Sequence, residues 1–304
     1  MAGSKGSVVA VAGGTGFVGG AIARKLAGRG YAAVALTHRA APPDPAIEYR
    51  RADVTRPGTL DGVLSGVDTL VIALAFRNSP IEAPRRGQTF ERVDMGGTIA
   101  LVAEARRAGV RRLVYISGAG AAPDAKRHWF RAKWRAEEAI RASGIDYTIF
   151  RPSWVYGPGD HSLNRFVRMA RWLPFIPQIG NGKQLLAPVF VDDLAALVAD
   201  SLDTPAARNG VFEVGGPETL TMDSIIREAL LISNRRRPII HAPAPLMKLM
   251  VWPLQILPSP PMTPDAIDFI IGSAQVDTAP LHEALPTRLM PLSEGLATYM
   301  GKRS

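Results

Sequence analysis

The sequence predicts an α/β fold with a doubly wound parallel sheet, and three features of its first half support that prediction. Short apolar runs alternate with helical patterns from Val8 onward. A glycine-rich turn joins the first apolar run to the first helical pattern. Gly109 and Gly144 follow two further helical patterns, where a residue with positive φ commonly ends a helix. Strands buried on both faces are nearly continuous apolar runs, so this alternation indicates strand–helix–strand units.

Each element is predicted from its own pattern. Helical spacing of apolar residues covers residues 17–29, 93–108 and 126–143. Residues 189–202 fit the end of a strand that leads into a helix. The predicted strands are residues 8–12, 33–37, 47–52, 69–75, 113–117, 147–150 and 211–214, of which 47–52 is the weakest.

The glycine-rich turn, residues 13–19, has the composition of a phosphate-binding device. Its glycines satisfy two spacings, Gly14-x-Gly16-x-x-Gly19 and Gly13-x-x-Gly16-x-x-Gly19. Glycine lets the backbone turn sharply and approach a pyrophosphate, which the N-terminus of the following helix attracts. A purely structural turn is the alternative. We predict that a dinucleotide contacts Gly13, Thr15, Gly16, Phe17 and Val18.

The end of the second strand indicates which dinucleotide binds. An NAD site places a carboxylate there, against the ribose 2′-hydroxyl, but this chain has His38 and Arg39. Because a guanidinium pairs with a 2′-phosphate, NADP(H) is the preferred cofactor and NAD(H) the alternative. A solvent-facing arginine would give the same sequence.

Two more segments at predicted strand ends are candidates for cofactor contact. Asp53, followed by Val54, is placed to accept a hydrogen bond from the adenine amino group, or it is an ordinary turn aspartate. The small residues around Leu74 let backbone approach the cofactor, although a core would look the same. The predicted contacts there are Ala73, Leu74 and Ala75.

The length of 304 residues fits a nucleotide-binding domain with a smaller lobe attached. We expect the NAD(P)-binding domain over residues 1–215, with an excursion around 156–187 that contributes to the lobe. A small, mostly helical and proline-rich lobe over residues 216–304 is expected to bind a small-molecule substrate or a partner.

Composition excludes several classes of site. The chain has no Cys, so disulfides and thiolate chemistry are excluded, and its five His are scattered, so no metal site is expected. The formal net charge of +9 fits solvated arginine-rich helix faces or a basic surface for anionic partners or lipid headgroups. No nucleic-acid motif is present, and no nucleic-acid partner is expected. The start of the chain lacks a signal-peptide pattern, which predicts a cytoplasmic location.

In combination these motifs resemble the extended and atypical short-chain dehydrogenases/reductases, whose NAD(P)-binding domain is a Rossmann fold. The resemblance covers roughly residues 7–215, and within that group it is strongest to NmrA-like proteins and the accessory NADPH-binding subunit of respiratory complex I. The segments that carry it are residues 13–19, 53–54, 93–98, 108–117, 151–158 and 188–194.

The resemblance also implies an active site. The family pairs a Tyr with a Lys four residues later, assisted by a Ser or Thr after the fifth strand. By this resemblance Lys133 is the catalytic Lys that holds the nicotinamide ribose, and Ser117 is the assisting hydroxyl. The Tyr position holds Trp129, whose N–H donates a hydrogen bond but cannot shuttle a proton. Pro152 and Tyr156 are expected near the cofactor.

The residues themselves leave alternatives open. Lys133 shares a helix face with Trp129 and Ile140, so it either meets a cofactor ribose or reaches along the apolar surface to water. Ser117 binds a substrate carbonyl or caps backbone. Tyr156 either takes the place of the Tyr that Trp129 replaces or packs in the hydrophobic core.

Residues 244–258 are unusually apolar, with one charge and several prolines. They are too short and too often broken by proline to span a bilayer. They line an apolar substrate pocket, complete the core of the lobe, or dock on a membrane or protein partner.

Two functions fit this sequence. The first is an NADP(H)-dependent oxidoreductase acting on a small apolar carbonyl or olefinic substrate without the usual Tyr relay. The second is a catalytically silent NADP(H)-binding scaffold or sensor, such as an accessory subunit of a respiratory complex, and Trp129 is its main support.

The predicted 2′-phosphate contact is tested by Arg39→Asp. The new carboxylate repels the 2′-phosphate of NADPH but accepts the 2′-hydroxyl of NADH, so affinity for NADPH should fall far more. Titration of both cofactors against the variant measures the difference. An equal loss for NADPH and NADH would contradict the assignment.

Overall fold

The computed structural model describes residues 6–38 and 44–301, and its frame is a seven-stranded sheet in which every neighbouring pair is parallel. The order across this sheet is β11-β6-β5-β4-β1-β2-β3. The strands of the described residues are β1 (Val8–Ala12), β2 (Ala32–Thr37), β3 (Ile47–Arg51), β4 (Thr69–Ile72), β5 (Arg112–Ile116), β6 (Asp146–Pro152), β7 (Trp154–Tyr156), β8 (Ile176–Ile179), β9 (Leu185–Leu186), β10 (Pro188–Phe190), β11 (Gly210–Val214), β12 (Leu220–Thr221) and β13 (Ile239–Ala242).

Helices cover both faces of this sheet. Consecutive residues of β1 point to opposite faces: Val9 and Val11 join the core under α1 and α5, whereas Ala10 and Ala12 join the core under α2 and α3. The predicted doubly wound α/β fold is therefore confirmed. The helices are α1 (Phe17–Gly28), α2 (Gly97–Arg107), α3 (His128–Arg141), α4 (Leu163–Met169), α5 (Val191–Asp203), α6 (Met222–Ile232), α7 (Ala244–Val251), α8 (Pro264–Ile270), α9 (Ala279–Ala284) and α10 (Leu292–Met300).

Two predicted elements differ from the structure. β4 ends at Ile72 instead of residue 75, because its neighbour β1 ends at Ala12 and the chain turns away at Gly13. The helix predicted from residue 93 is two pieces, a π-helical segment (Phe90–Gly96) followed by α2. The wider turns of that segment place the Asp94 side chain in the buried interior, where it is part of the site described below.

Elements after β11 pack against the segment between β7 and β10. β13 pairs with β8 and β12 with β9, while α6 packs against α4. Short 3₁₀ segments lie at Pro57–Thr59, Pro84–Arg86, Pro205–Ala207 and Trp252–Ile256. None of the described helices is long and apolar enough to cross a membrane.

Candidate cofactor and active site

The glycine turn brings the ends of β1 and β4 into close contact. Gly13 has φ +78°, and a Cβ there would lie 2.4 Å from the carbonyl oxygen of Ala73. A Cβ on Gly19 would lie 2.2 Å from the carbonyl oxygen of Gly13, and one on Gly14 would lie 2.7 Å from Ala35 Cβ. These positions exclude any larger residue, so the turn holds α1 tightly against the sheet.

The first turn of α1 is built to receive an anion. Gly16 is the N-cap, makes no side-chain hydrogen bond to the helix, and no acidic residue follows in the first turn. The first N–H groups of a helix have no intrahelical partner and carry the positive end of its dipole. The cradle that a Cβ would fill and these open N–H groups fit the pyrophosphate of a dinucleotide.

Phe17, the first residue of α1, also contacts the chain after β7. A Cβ on Gly159 would lie 2.9 Å from the Phe17 ring, and one on Gly157 would lie 2.5 Å from Val191 and 3.4 Å from that ring. The Phe17 side chain therefore joins the glycine turn to the segment that leads into α4.

The end of β2 lies beside the glycine turn, as the cofactor prediction requires. The Thr15 and Thr37 hydroxyl oxygens are 3.2 Å apart, and His38 is exposed at the strand end. Arg39 lies outside the described residues, so its contact with a 2′-phosphate stays a prediction.

Asp53 follows β3 in a tight turn. Its carboxylate accepts hydrogen bonds from the Thr55 hydroxyl at 2.7 Å and the Thr55 amide at 3.0 Å. Partial burial raises the pKa of Asp53, but the Thr55 hydrogen bonds and the nearby His38 and Arg56 outweigh it, and the pKa is lowered. Asp53 is thus an ionised turn aspartate whose accepting role toward adenine stays a prediction.

Val54 and Leu74 lie on either side of Gly97. A Cβ on Gly97 would come 2.8 Å from Val54 Cγ2 and 3.0 Å from Leu74 Cδ1. Ala73 and Leu74 are half-buried and Ala75 is exposed, so the segment after β4 borders the surface at the carboxyl edge of the sheet.

Lys133 extends from α3 to the carboxyl end of β5. Its Nζ lies 2.6 Å from Asp94 Oδ1, 3.5 Å from the Ile116 carbonyl oxygen and 5.5 Å from the Tyr115 ring centroid. Burial alone would lower the pKa of Lys133, but the Asp94 carboxylate outweighs it and the pKa is raised. The side chain is 14% exposed, so a stable ammonium stands within reach of a ligand at this edge.

Ser117 belongs to a buried ionic cluster. Its hydroxyl donates to Glu137 Oε1 at 2.6 Å, and Arg151 donates to both Glu137 oxygens at 2.9 and 2.6 Å. Arg141 donates to Oε2 at 2.6 Å. The bidentate contact of Arg151 fixes the carboxylate, and the carboxylate fixes the Ser117 hydroxyl on the sheet side of α3.

Aromatic rings gather beside Lys133 in what we call the aromatic cluster. Trp129 is 4% exposed, and its indole N–H has no hydrogen-bond partner among the described residues. The Trp129 and Phe269 centroids are 5.5 Å apart, while Phe269 is itself exposed at its outer side. The cluster consists of Phe76, Phe90, Trp129, Phe130 and Phe269, with His128 at its edge.

Pro152 and Tyr156 lie deeper than the sequence alone indicates. Pro152 ends β6, and its carbonyl accepts a hydrogen bond from the Ala119 amide at 3.0 Å. Tyr156 is fully buried, its ring centroid 5.5 Å from that of Phe190 and its hydroxyl 3.5 Å from the Pro291 carbonyl oxygen. Desolvation by burial raises the pKa of Tyr156. A role for either residue in cofactor binding stays a prediction.

Two carboxylates of this region, Asp94 and Glu137, were not predicted from the sequence, although the position of each in the sequence is unusual for a charged residue. Asp94 stands in the otherwise apolar start of a predicted helix, and Glu137 lies four residues after Lys133 on the apolar side of α3. A buried charge needs a partner of opposite sign. Only Glu137 has a partner at helical spacing, Arg141, whereas Lys133, the partner of Asp94, comes from another element.

The fold and this edge together define a dinucleotide-binding Rossmann protein. Residues 13–205 match the family model described as NAD(P)H-binding, and the chain belongs to that family. It has the architecture and motifs of the extended and atypical short-chain dehydrogenases/reductases, and its cofactor is a nicotinamide dinucleotide.

Curated relatives carry different roles. The chain is 28% identical over 257 residues to NADH dehydrogenase [ubiquinone] 1 alpha subcomplex subunit 9, mitochondrial, of Arabidopsis thaliana, covering 82% of this chain but 63% of that subunit. It is 28% identical over 249 residues to a ceramide reductase of Caulobacter vibrioides, covering 78% of this chain and 74% of the reductase.

Solved structures share the fold across nearly the whole chain. A UDP-glucose 4-epimerase of Thermotoga maritima superimposes with a TM-score of 0.75 at 18% identity, covering 96% of this chain and 97% of that one. An epimerase of Methanothermobacter thermautotrophicus gives 0.77 at 18% identity, covering 97% and 91%. At these identities the likeness establishes the fold.

Gly19→Ala tests the phosphate cradle. The added Cβ would lie 2.2 Å from the Gly13 carbonyl oxygen, so the turn must open, and NADPH affinity should fall at least tenfold. Gly20→Ala is the matched control, because its nearest neighbours lie at 3.4 Å and alanine favours helix. Fluorescence titration of NADPH measures both; equal affinities would contradict the cradle.

Glu137→Gln tests the ionic cluster around Ser117. The change leaves Arg151 and Arg141 facing a neutral amide at a fully buried site, which should cost about 3 kcal/mol of unfolding free energy. Glu138→Gln alters an exposed neighbour and should change stability by under ~0.5 kcal/mol. Urea denaturation compares the two, and similar midpoints would show that the cluster contributes little.

Proposed function

We propose that this protein is an NADP(H)-dependent oxidoreductase that reduces a small, apolar carbonyl or olefinic substrate. One observation carries the proposal. The Lys133 ammonium, paired with Asp94, stands at the carboxyl end of β5, two strands from the β1 turn that receives a pyrophosphate. A cofactor extended along this edge brings its nicotinamide toward Lys133.

NADP(H) is the cofactor that the end of β2 favours. Thr37 and His38 stand where an NAD site carries a carboxylate, and Thr15 of the glycine turn lies against Thr37. Arg39 follows directly in the sequence and supplies the charge for a 2′-phosphate.

The chemistry assigned to the chain centres on Lys133. When bound, a reduced nicotinamide supplies a hydride to an electrophilic carbon. Lys133 holds its positive charge against the substrate oxygen, which takes the electron pair of the broken π bond. The ammonium then passes a proton to that oxygen, and a proton from water restores it. Asp94 holds the ammonium in place.

The aromatic cluster supports an apolar substrate. Trp129 lies one helical turn before Lys133 on α3, and the cluster member Phe269 is 41% exposed, so the cluster offers apolar surface to an incoming molecule. One relative is named for the reduction of ceramide, which shares the apolar character of this class but is a long-chain lipid. Ser117 is the positioning residue, since its hydroxyl is held by Glu137.

A catalytically silent NADP(H)-binding protein is the second candidate, and Trp129 favours it. Trp129 occupies the position where the family carries a Tyr, and its ring is locked between Phe90, His128, Phe130 and Phe269. A protein of this kind would serve as a scaffold or accessory subunit, and the Arabidopsis relative is named as a subunit of NADH dehydrogenase.

Lys133→Met decides between the two candidates. With NADPH and a panel of apolar ketones and enones, the natural chain should turn over and the variant should lose activity at least 100-fold, since a positioned proton donor contributes 10²- to 10⁴-fold. Lys126→Met, an exposed lysine just before the same helix, should keep full activity.

The variant also leaves Asp94 buried without its cation, so Asp94→Asn combined with Lys133→Met provides a second, charge-balanced test. Retained activity in either variant, with NADPH still bound, would overturn the role of Lys133. NADPH binding by the natural chain with no turnover across the panel would establish the silent alternative.

A further inference from the structure

Two segments of the chain contain basic residues and no acidic residue. Residues 161–191 and residues 229–264 each contain four Lys or Arg and not one Asp or Glu. Together they carry eight positive charges with no negative charge among them.

The fold places these two segments side by side. β8 from the first pairs in parallel with β13 from the second, from Ile176 opposite Ile239 to Ile179 opposite Ala242. Arg237 of the second segment donates to the Leu173 carbonyl of the first at 3.0 Å. We call the joined surface of residues 161–191 and 229–264 the basic lobe surface.

Two carboxylates that lie against this surface on other elements are paired with cations or with His241. Asp268 of α8 contacts Lys248 and Arg127, and Asp223 of α6 lies 3.0 Å from His241 and 3.6 Å from Arg227. Asp268 compensates the charge of Lys248, which leaves seven other cations in the two segments.

The same surface exposes most of the large apolar side chains left in water. Of twelve such residues in the described part of the chain, ten belong to these two segments. Trp172 is 87% exposed, and Leu249 and Ile256 are each 71% exposed. The ten are Trp172, Phe175, Leu231, Ile240, Leu246, Leu249, Met250, Trp252, Ile256 and Leu257.

We propose that the basic lobe surface docks on the face of an anionic lipid bilayer, with Trp252 and its apolar neighbours in the headgroup layer. Bilayer attachment by a shallow surface needs two signals, apolar area and cationic charge, and both are present here. The segment 244–258 is held as one short helix and a 3₁₀ turn broken by prolines, a shape that lies in an interface and cannot span it.

A second copy of this chain fits the surface poorly. A symmetric dimer would set the same patch against itself and bring together cations of like charge, of which, within the described part of the chain, only Lys248 has a carboxylate partner, Asp268. An anionic bilayer supplies the missing negative charge continuously. The docking goes beyond the proposed reductase function and does not depend on turnover.

Flotation of the full chain with lipid vesicles tests the docking. The protein should bind vesicles of phosphatidylcholine containing phosphatidylglycerol at least tenfold more tightly than vesicles of phosphatidylcholine alone, and high salt should weaken that binding. Brominated acyl chains should quench tryptophan fluorescence on binding, and Trp252→Phe should remove much of that quenching.

Matched variants distinguish vesicle binding by the basic lobe surface from binding by basic residues elsewhere on the protein. Arg235, Arg236 and Arg237 changed together to Gln should weaken binding at least tenfold, as should Leu249→Ala with Trp252→Ala. The charge-matched control changes the exposed Arg106, Arg135 and Arg288 to Gln, and the apolar control is Ile99→Ala; both should bind as the natural chain does.

Three results would overturn the docking. They are equal binding to neutral and anionic vesicles, equal loss in the control variants, and a concentration-dependent dimer, seen by light scattering, that the surface variants dissociate. NADPH affinity, measured on each preparation, verifies the fold. A protein that docks but shows no turnover would refute the reductase and leave the docking intact.

Discussion

The arrangement of this protein depends on how closely backbone approaches backbone at the turn after β1. Gly13 leaves no room for a side chain beside Ala73, and Gly19 leaves none beside Gly13. Only this contact lets α1 start at the sheet edge with its first amides facing outward. The strand ends, the helix dipole and the neighbouring β2 terminus then lie at one edge of the sheet, the edge at which α/β folds of this type bind ligands.

Helix α3 is anchored at the same edge of the sheet by two buried charges of opposite sign that lie one helical turn apart. Lys133 reaches Asp94 on one side, and Glu137 reaches Arg151 on the other. A charge inside a protein is tolerated only with a partner, and each partner here comes from a different element. The two pairs tie α3 to the π-helical segment and to β6, so the helix that presents the ammonium cannot shift without breaking one of them.

Much of the fold could be predicted from the sequence because its signals are local. The apolar runs of β1 and β2, the glycine turn and the glycines after α2 and α3 each carry their own pattern. The prediction missed the early end of β4, which is set by the length of β1, and the π-helical turns around Asp94. Both depend on neighbouring elements that no window of sequence contains.

The site was predictable in part for the same reason. The glycine turn and Lys133 stand in motifs, whereas the partners Asp94 and Glu137 are revealed only when the fold brings them near a cation. Ser117 was identified by its place after β5, but its hydroxyl is directed by Glu137, twenty residues away. The basic lobe surface needed both kinds of information: the sequence shows where carboxylates are missing, and the pairing of β8 with β13 shows that the two stretches adjoin.

The contact of Phe17 with Gly157 and Gly159 joins the glycine turn to the connection that enters the lobe. The ring is the first side chain of α1, and the glycines belong to the connection that enters the lobe. The first residue of α1 therefore packs against the connection that enters the lobe. A change in the Phe17 ring at the glycine turn would also change the packing of that connection.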